Sequence, residues 1–433
     1  MAKFIAKPAK SLSGNIKVPG DKSISHRSVM LGSLANGITE VTGLLEGEDV
    51  ISTIKAFRSM GVDIDRNDDK LIINGVGIDG LQKPDIALNV GNSGTSMRLI
   101  SGILAAQSFD SELIGDESLS ERPMGRIIKP LTEMGAIINS QGNKPPLKFF
   151  GGQKLQSISY DLPIASAQVK SCLLLAGMYA EGKTCVSEPA TTRNHTENML
   201  QGFGYKVNID SDNICIEGGG ELKSSKIQVP GDISSAAFFM VAASIANNAD
   251  ITLSAVNVNP TRTGVINILR LMGANIELSN QREIGGELLA DFRIKSSELS
   301  GIEIPEELVP LAIDEFPAIF IAASCAKGLT TLTGAKELRV KESDRIQVMA
   351  DGLITLGIDC EVLDDGITIY GGEYHKPLEV IKSHHDHRIS MSFALASLRS
   401  RFDIEIEGVD NVKTSFPNFV ELANSIGMDL HEI

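Results

Sequence analysis

The sequence contains no tryptophan, and aromatic residues of all kinds make up only 5% of it. Its 5 cysteines, at positions 172, 185, 215, 325 and 360, include no Cys-x-x-Cys spacing. This scattered set favours buried thiols in a reducing compartment over a disulfide framework. Apolar runs such as AIFIAASCA fall far short of the ~18 residues that a membrane span needs. The N-terminal segment MAKFIAKPAKSLSG is too short and too polar for a secretion signal, so we expect a cytoplasmic protein without a membrane segment.

An excess of basic residues is also missing. The chain has 40 Lys and Arg against 55 Asp and Glu, a formal net charge of −15. Because phosphate backbones select basic surfaces, this balance argues against a nucleic acid as the main partner. The length of 433 residues is too great for one hydrophobic core, so we expect two domains.

What the sequence does contain is a repeat. An apolar, helix-like run followed by a small-residue–Gly step into a strand recurs six times, with glycines at 61, 135, 204, 273, 357 and 427. Each glycine is placed to end a helix in the left-handed conformation. A second sequence pattern alternates with the first: a Ser/Asp-rich segment, then a small-residue apolar helix, then a strand. The two patterns together predict an α/β fold of six βαβαββ units of about 70 residues each.

The six units fall into two halves of three. The segments KVPGDKS at 17–23 and QVPGDIS at 228–234 are nearly identical and mark corresponding points of the two halves. We therefore expect one lobe over residues 14–230 and a second formed by residues 1–13 together with 231–433. Their helices are rich in Ala, Ser and Gly, which suits close packing around an axis.

Cations stand where helices are expected to begin. In GDKSISHR, Lys22 and Arg27 flank the start of a helix whose dipole already makes that end positive. An anionic ligand resolves this conflict, because helix N-termini bind anions through free N–H groups. Further cations occur at similar places in an otherwise acidic protein: Arg98, Arg122, Arg345 and Arg388. We expect a cationic cleft for more than one small anion.

Three stretches have competing interpretations. GMYAEGKT at 177–184 matches the phosphate loop of nucleotidases, but it follows a helix and opens a strand, so we reject ATP binding. KSHHDHR at 382–388 could suggest a metal site, but partners at recognisable ligand spacing are lacking, so we expect Asp386 to cap a helix. LRVKESDR places Lys341 and Arg345 four residues apart, on one helical face, which also fits a solvated surface with i,i+4 pairs.

Eight motifs in this order resemble the enolpyruvyl transferases, over essentially the whole chain. They are PGDKSISHR, GNSGTSMR, GDESLSERPMGR, ASAQVKSCLLLAG, IDEFP, RVKESDR, DHRISM and TSFP. The resemblance implies two lobes, each a pseudo-threefold of βαβαββ units in an inside-out α/β barrel-like arrangement, that close on ligands. It implies that the 5-hydroxyl of shikimate 3-phosphate adds to C2 of phosphoenolpyruvate and that the adduct loses phosphate, in the shikimate pathway to chorismate. It implies no metal and no cofactor.

The resemblance also assigns residues. Shikimate 3-phosphate would be bound by Lys22, Ser23, Arg27, Ser166, Ala167, Gln168, Arg193, Asp314 and Lys341. Phosphoenolpyruvate would be bound by Lys22, Asn92, Gly94, Arg122, Gln168, Arg345, Arg388 and Lys413. Asp314 would take the proton of the 5-hydroxyl, Glu342 would deliver and remove the proton at C3, and Lys22 would act beside them.

Two departures from the family pattern matter. The loop at 115–123 lacks an early Arg found in the other class of this family, and Lys413 lies one residue away from that class's Lys. RPMGR, SAQVK and TSFP resemble the glyphosate-tolerant class. However, tolerance is associated with Ala at the position of Gly94, and the glycine leaves room for the inhibitor. We therefore expect at least partial sensitivity to glyphosate.

Other functions fit the sequence less well. A sister transferase that acts on UDP-N-acetylglucosamine uses a loop Cys, and residues 115–125 contain none. A catalytically inactive sensor would not need Asp314 and Glu342. An RNA-terminal phosphate enzyme would need a basic stripe. We expect a monomer that binds small molecules and neither nucleic acid nor membrane.

Overall fold

The computed structural model describes residues 2–210, 213–284 and 286–433. The chain divides into two compact units. Unit A comprises Gly20–Val229 and Glu283–Glu287, and unit B comprises Met1–Pro19, Pro230–Arg282 and Leu288–Ile433. The sequence prediction started the first lobe at residue 14. In the structure the division falls after Pro19, because residues 12–16 pair with a strand of unit B.

The elements alternate along the chain as the repeat predicts. Unit B begins with β1 (Lys3–Lys7) and β2 (Leu12–Ile16). The helices of unit A are α1 (Lys22–Leu34), α2 (Glu48–Ser59), α3 (Gly94–Leu104), α4 (Glu117–Ser120), α5 (Gly125–Glu133), α6 (Ala167–Gly177) and α7 (His195–Gly202). Its strands are β3 (Ala35–Thr42), β4 (Asp63–Asn67), β5 (Lys70–Val76), β6 (Leu88–Asn89), β7 (Ser111–Ile114), β8 (Ile137–Gln141), β9 (Lys144–Phe150), β10 (Ser159–Asp161), β11 (Lys183–Ser187), β12 (Val207–Asp210), β13 (Asn213–Glu217), β14 (Leu222–Lys223) and β15 (Lys226–Gln228).

Unit B continues in the same manner. Its helices are α8 (Ile233–Ile245), α9 (Gly264–Leu271), α10 (Phe316–Ser324), α11 (Arg345–Thr355), α12 (His387–Ala396), α13 (Val412–Ser415) and α14 (Phe419–Ser425). Its remaining strands are β16 (Ala249–Asn257), β17 (Asn275–Ile284), β18 (Glu287–Lys295), β19 (Leu329–Leu332), β20 (Cys360–Val362), β21 (Ile367–Tyr370), β22 (Ile381–Lys382), β23 (Ile404–Glu407) and β24 (Asp429–Glu432). Short 3-10 helices occupy Pro260–Arg262, Glu306–Leu308 and Lys336–Val340.

The strands form six small sheets in the described part of the chain. Those of unit A run β14–β3–β5–β4 with β15 also beside β3, β6–β7–β9–β8, and β10–β11–β13–β12. Those of unit B run β2–β16–β18–β17, β22–β23–β1–β24, and β19–β21–β20. Five of them contain one or two short parallel pairings beside antiparallel ones. The sixth, β19–β21–β20, is antiparallel and is accompanied by an isolated parallel bridge between Glu303 and Thr331. The expected α/β fold of six repeated units is confirmed.

The repeated glycines end helices as predicted. All six have positive φ: 86° at Gly61, 101° at Gly135, 79° at Gly204, 96° at Gly273, 83° at Gly357 and 107° at Gly427. A side chain at any of them would strain the backbone, since L-residues rarely adopt this region. The repeat in the sequence is therefore a repeat of one helix-ending turn.

Small residues let the central helices of each unit pack closely. In unit A, Gly102 of α3 faces α6 so tightly that a Cβ there would lie 2.2 Å from the carbonyl oxygen of Cys172. In unit B, every residue of α8 and α10 is buried. These buried helices are the Ala- and Ser-rich segments of the second repeated sequence pattern. In unit A, the first residues of α3 and α6 are the candidate ligand-binding residues Gly94, Ala167 and Gln168.

One expectation about the cysteines is wrong. Cys185 of β11 and Cys215 of β13 lie directly opposite each other on antiparallel strands, with Cα atoms 4.1 Å apart, and form a disulfide. Opposed positions on adjacent strands bring two Cβ atoms within reach of a bridge. The separation of 30 residues concealed this pairing in the sequence. Cys172, Cys325 and Cys360 are free thiols, as expected.

The rejected phosphate loop lies where the sequence context placed it. Gly177 is the last residue of α6 and Lys183 is the first residue of β11, so the motif joins a helix to a strand. The cap of α8 is Asp232, whose Oδ1 accepts from Ser234 N at 2.8 Å. Within the described residues, no helix combines the length and hydrophobicity that crossing a bilayer requires.

A buried histidine makes unit A sensitive to acid. His26 of α1 is fully buried, with Nδ1 2.8 Å from Thr53 Oγ1. Burial lowers the pKa of His26 from 6.5 to about 3, against an opposing effect of Asp49. Between these values the unfolded chain binds a proton that the folded chain does not. Stability therefore falls as the pH falls, by about 1.4 kcal/mol per pH unit.

We predict that His26→Gln reduces this loss. The free energy of urea unfolding of the variant should change less between about pH 7 and about pH 5 than that of the wild type. His375→Gln is the control, because it removes an exposed imidazole. An equal loss in the wild type and His26→Gln would contradict the prediction.

Candidate active site

The first helix of unit A holds its cation against a carboxylate. Asp21 caps α1 by accepting from Ile24 N at 2.9 Å, and Lys22 is the first residue of the helix. The Lys22 ammonium forms an ion pair with Asp49 of α2, yet its side chain keeps 29% exposure. Lys22 is thus neutralised within the fold and still accessible to a ligand.

Arg27 is held by hydroxyl and carbonyl groups rather than by carboxylates. Its Nε donates to Thr196 Oγ1 at 2.7 Å and its Nη2 to Ser171 Oγ at 2.8 Å. Its Nη1 donates to the carbonyl oxygen of Ser23 at 2.9 Å. Burial lowers the pKa of Arg27 to about 10, with Glu197 opposing, so the guanidinium stays charged at neutral pH. Neutral acceptors leave most of this charge available to an anion.

Arg98 connects two of the predicted binding segments. Its Nη1 donates to Gln168 Oε1 at 2.7 Å and to the carbonyl oxygen of Gly94 at 3.3 Å. Gln168 Nε2 in turn donates to Thr95 Oγ1 at 3.0 Å. Burial lowers the pKa of Arg98 to about 10, and Arg122 adds to the effect. The sequence identified Arg98 as a cation but gave it no role; the structure makes it the link between α3 and α6.

The other residues predicted in unit A lie on neighbouring segments. Arg122 Nη2 donates to Asn92 Oδ1 at 2.6 Å, while Asn92 Nδ2 donates to Asp116 Oδ2 at 2.7 Å. Ser166 caps α6, accepting from Val169 N at 3.4 Å. We call the following residues the unit A cluster: Lys22, Ser23, Arg27, Asn92, Gly94, Arg98, Arg122, Ser166, Ala167, Gln168 and Arg193.

Unit B contains a different arrangement, in which one buried arginine meets three carboxylates. Arg345 is 1% exposed. Its Nε donates to Asp386 Oδ2 at 2.8 Å and its Nη2 to Glu342 Oε2 at 2.6 Å. Its Nη1 lies 3.4 Å from Asp314 Oδ1. The two expected proton carriers, Asp314 and Glu342, therefore share one guanidinium.

This arginine determines the charge of its partners. Burial is the largest single influence on Glu342 and would by itself raise its pKa, but the charge of Arg345 and smaller opposing effects together hold the pKa below its ordinary value. The same balance lowers the pKa of Asp386. Burial lowers the pKa of the neighbouring His387 to about 4, so its imidazole is neutral at pH 7. Glu342 and Asp386 are therefore ionised at neutral pH before any ligand binds.

Two more cations approach Asp314. Arg388 Nη1 donates to the carbonyl oxygen of Asp314 at 2.9 Å. Lys341 Nζ lies 3.7 Å from Asp314 Oδ1 and 2.6 Å from Glu337 Oε1. We call the following residues the unit B cluster: Asp314, Lys341, Glu342, Arg345, Asp386, His387 and Arg388.

The helical spacing predicted for LRVKESDR is wrong. Lys341 precedes α11, whose first residue is Arg345, so the two cations do not share a helical face. The near-complete burial of Arg345 also excludes a solvated surface there. The cap predicted at Asp386 is confirmed, since Asp386 Oδ1 accepts from Arg388 N at 2.9 Å. Among the residues that the structure describes, no group of three or more His, Cys, Asp or Glu could hold a metal ion.

Lys413 has another partner. It lies on α13, is exposed, and donates to Glu432 Oε1 at 2.7 Å. Its contact with phosphoenolpyruvate stays a prediction. The sequence reasoning also missed the carboxylates that hold the ligand-binding side chains, Asp49 and Asp116. Asp49 lies in the first turn of α2 and Asp116 lies just before α4, and an acidic residue at a helix start is too common to be a signal.

Comparison with known proteins settles the family. The family model described as EPSP synthase (3-phosphoshikimate 1-carboxyvinyltransferase) matches residues 6–422. The chain belongs to the EPSP synthase family. A curated 3-phosphoshikimate 1-carboxyvinyltransferase of Ruthia magnifica subsp. Calyptogena magnifica is 70% identical over 431 residues, which is 100% of this chain and 99% of the relative. One of Alkalilimnicola ehrlichii is 59% identical and covers 99% of this chain and 96% of the relative.

A solved structure supports the same assignment. An EPSP synthase of Acinetobacter baumannii is 56% identical, covers 100% of both chains and has a TM-score of 0.92. The resemblance stated from eight motifs is therefore confirmed over the whole chain. Membership of the EPSP synthase family also excludes the sister transferase that acts on UDP-N-acetylglucosamine.

The buried pair of Arg345 and Asp386 should be far more important for stability than a similar exposed pair. Asp386 and Asp344 both cap a helix and pair with an arginine, but Asp386 is fully buried and Asp344 is 35% exposed. Asn retains the capping group and removes the charge. We predict that Asp386→Asn costs about 3–5 kcal/mol of unfolding free energy, because it leaves Arg345 short of a buried partner.

Asp344→Asn is the matched control. Its exposed pair with Arg339 should be worth at most about 1 kcal/mol. Urea unfolding of both variants beside the wild type measures the difference. Similar losses in the two variants would show that the buried charge pair is not what stabilises this region.

Proposed function

We propose that this chain transfers the enolpyruvyl group of phosphoenolpyruvate to the 5-hydroxyl of shikimate 3-phosphate and releases phosphate. Family membership over the whole chain supports the reaction. The observation that carries the assignment of roles is the contrast between the two clusters. In the unit A cluster, cations with neutral hydrogen-bond partners predominate. In the unit B cluster, the carboxylates of Asp314 and Glu342 share the buried guanidinium of Arg345.

The unit A cluster suits the binding of phosphate and carboxylate groups. Lys22, Ser23, Arg27 and Arg193 are our proposed ligands of the phosphate of shikimate 3-phosphate, with the α6 start at Ser166–Gln168. Two or three such donors satisfy one phosphate. Asn92, Gly94 and Arg122 are our proposed ligands of phosphoenolpyruvate, together with Arg345 and Arg388 of unit B.

The unit B cluster suits proton transfer. As the 5-hydroxyl oxygen attacks C2, its proton passes to Asp314, whose carboxylate lies beside Arg345 and Lys341. Glu342 gives a proton to C3, and removes it again when the C2–O bond to phosphate breaks. A bound anion that competes for Arg345 would weaken the effect that opposes burial at Glu342. Its pKa would then rise, which lets Glu342 carry the proton.

Removal of either carboxylate should abolish most of the turnover. We predict that Asp314→Asn and Glu342→Gln lower kcat for phosphate release by about 10²–10⁴-fold, because each removes a general acid or base. Calorimetric titration with shikimate 3-phosphate separates lost binding from lost chemistry. Glu298→Gln, which removes an exposed surface charge, is the control and should turn over normally. Near-normal kcat in either active-site variant would contradict the assigned role.

Gly94 should determine sensitivity to glyphosate. A Cβ at this position would lie 2.9 Å from Arg98 Nη1 and 3.4 Å from Arg122 Nη1. We predict that Gly94→Ala displaces these guanidinium groups and raises the inhibition constant of glyphosate about tenfold or more, by more than it raises KM for phosphoenolpyruvate.

Gly125→Ala is the control for the methyl group, since a Cβ there meets its nearest neighbour at an ordinary 3.5 Å. Inhibition of the wild type only at millimolar glyphosate, with little phosphoenolpyruvate present, would contradict the expected sensitivity.

A further inference from the structure

A buried lysine that the proposed mechanism does not use lies behind the phosphate-binding residues of unit A. We propose that Lys170 is a positioning residue for shikimate 3-phosphate: it neutralises Glu188 and Glu197 and so holds Arg27 and the Arg193 loop in place. The inference rests on the proposed function, and it assigns a specificity role to a side chain that does not touch the substrate.

Lys170 is enclosed by protein. It lies one turn into α6, with its N–H donating to the carbonyl oxygen of the cap residue Ser166 at 3.0 Å. Its side chain is 1% exposed. Burial of an ammonium group is costly unless it is paired. Lys170 Nζ lies 3.1 Å from Glu188 Oε1 and 2.7 Å from Glu197 Oε1.

Glu188 connects Lys170 to the segment that carries Arg193. It follows β11 directly, and its carboxylate accepts two hydrogen bonds from Thr192: from the backbone N at 3.1 Å and from Oγ1 at 2.6 Å. These bonds close the loop 188–192 on itself. Arg193 is the next residue, so the position of its backbone depends on the Glu188 carboxylate that Lys170 holds.

Glu197 connects Lys170 to Arg27. Glu197 lies in the first turn of α7, 1% exposed, beside Thr196. Ser171, the neighbour of Lys170, and Thr196, the neighbour of Glu197, bond each other at 2.7 Å and both accept from Arg27. The Lys170–Glu197 pair therefore fixes the two hydroxyls that orient the guanidinium.

Charge balance adds a second reason. Glu188 and Glu197 both pair with Lys170, and the charge of Glu197 also acts on Arg27, as do those of the buried Asp21 and Glu287. Without Lys170, Glu197 would lose its ion-pair partner and would compete for Arg27. An arginine engaged by a carboxylate offers less charge to a phosphate. The affinity for shikimate 3-phosphate, the proposed ligand of Arg27, should therefore fall. The affinity for phosphoenolpyruvate should change much less.

The test is calorimetric titration of shikimate 3-phosphate into Lys170→Met, with steady-state kinetics alongside. We expect the dissociation constant and KM for shikimate 3-phosphate to rise about tenfold or more, with KM for phosphoenolpyruvate changing less than about threefold. Lys170→Arg should recover much of the affinity. Lys170→Met combined with Glu197→Gln should also recover it, because the carboxylate that would otherwise compete for Arg27 is then neutral.

Leu174→Ala is the matched control. Leu174 is fully buried on the same helix, so its truncation lowers stability without changing charge. A similar loss of substrate affinity in Leu174→Ala, or no recovery in the double variant, would reduce Lys170 to a structural residue and overturn the inference. Wild-type affinity in Lys170→Met would overturn it as well. Failure of the wild type itself to bind shikimate 3-phosphate would instead count against the proposed function.

Discussion

The structure depends on one constraint: cations placed at the starts of buried helices must find partners inside the fold. A helix N-terminus is already positive, so a cation there is favourable only with a fixed anion nearby. Lys22 meets this condition through Asp49, and Arg345 meets it through Asp386. In both cases the helix positions the cation and a carboxylate from another segment balances it. The six repeated glycines then set where a helix ends and the next strand begins.

The two clusters satisfy this constraint in different ways, and the difference determines their chemistry. The guanidinium of Arg27 donates to hydroxyl and carbonyl oxygens, which orient it without neutralising its charge. Arg345 is surrounded by three carboxylates and helps to lower the pKa of two of them, Glu342 and Asp386. The first arrangement is suited to holding a phosphate, and the second to moving protons next to a reacting carbon. A single fold, repeated, thus supports two kinds of site.

Much of the fold was predictable because it depends on local patterns. The glycines at 61 and 273 determine a backbone conformation by themselves, and their repetition predicted six units. The disulfide between Cys185 and Cys215 was not predictable, because it depends on strand register. The boundary after Pro19 was missed because β2 completes a sheet whose other strands lie more than 230 residues away.

The candidate site was predictable only in part. The cations were recognisable from their positions at helix starts, and the family motifs supplied their roles. Their partners were not recognisable, since Asp386 lies 41 residues from Arg345 and Thr196 lies 169 residues from Arg27. Such pairs arise from tertiary packing, which one sequence does not reveal. The prediction of one helix through Lys341 and Arg345 was wrong for a related reason. The local charge pattern is compatible with a helix and also with a non-helical segment before a helix.

The most direct test of the account is phosphate release from phosphoenolpyruvate with two acceptors in separate reactions. Release with shikimate 3-phosphate and none with UDP-N-acetylglucosamine is the predicted result. It would establish acceptor and reaction together. Release with the nucleotide sugar, or binding of shikimate 3-phosphate without any phosphate release, would contradict the account.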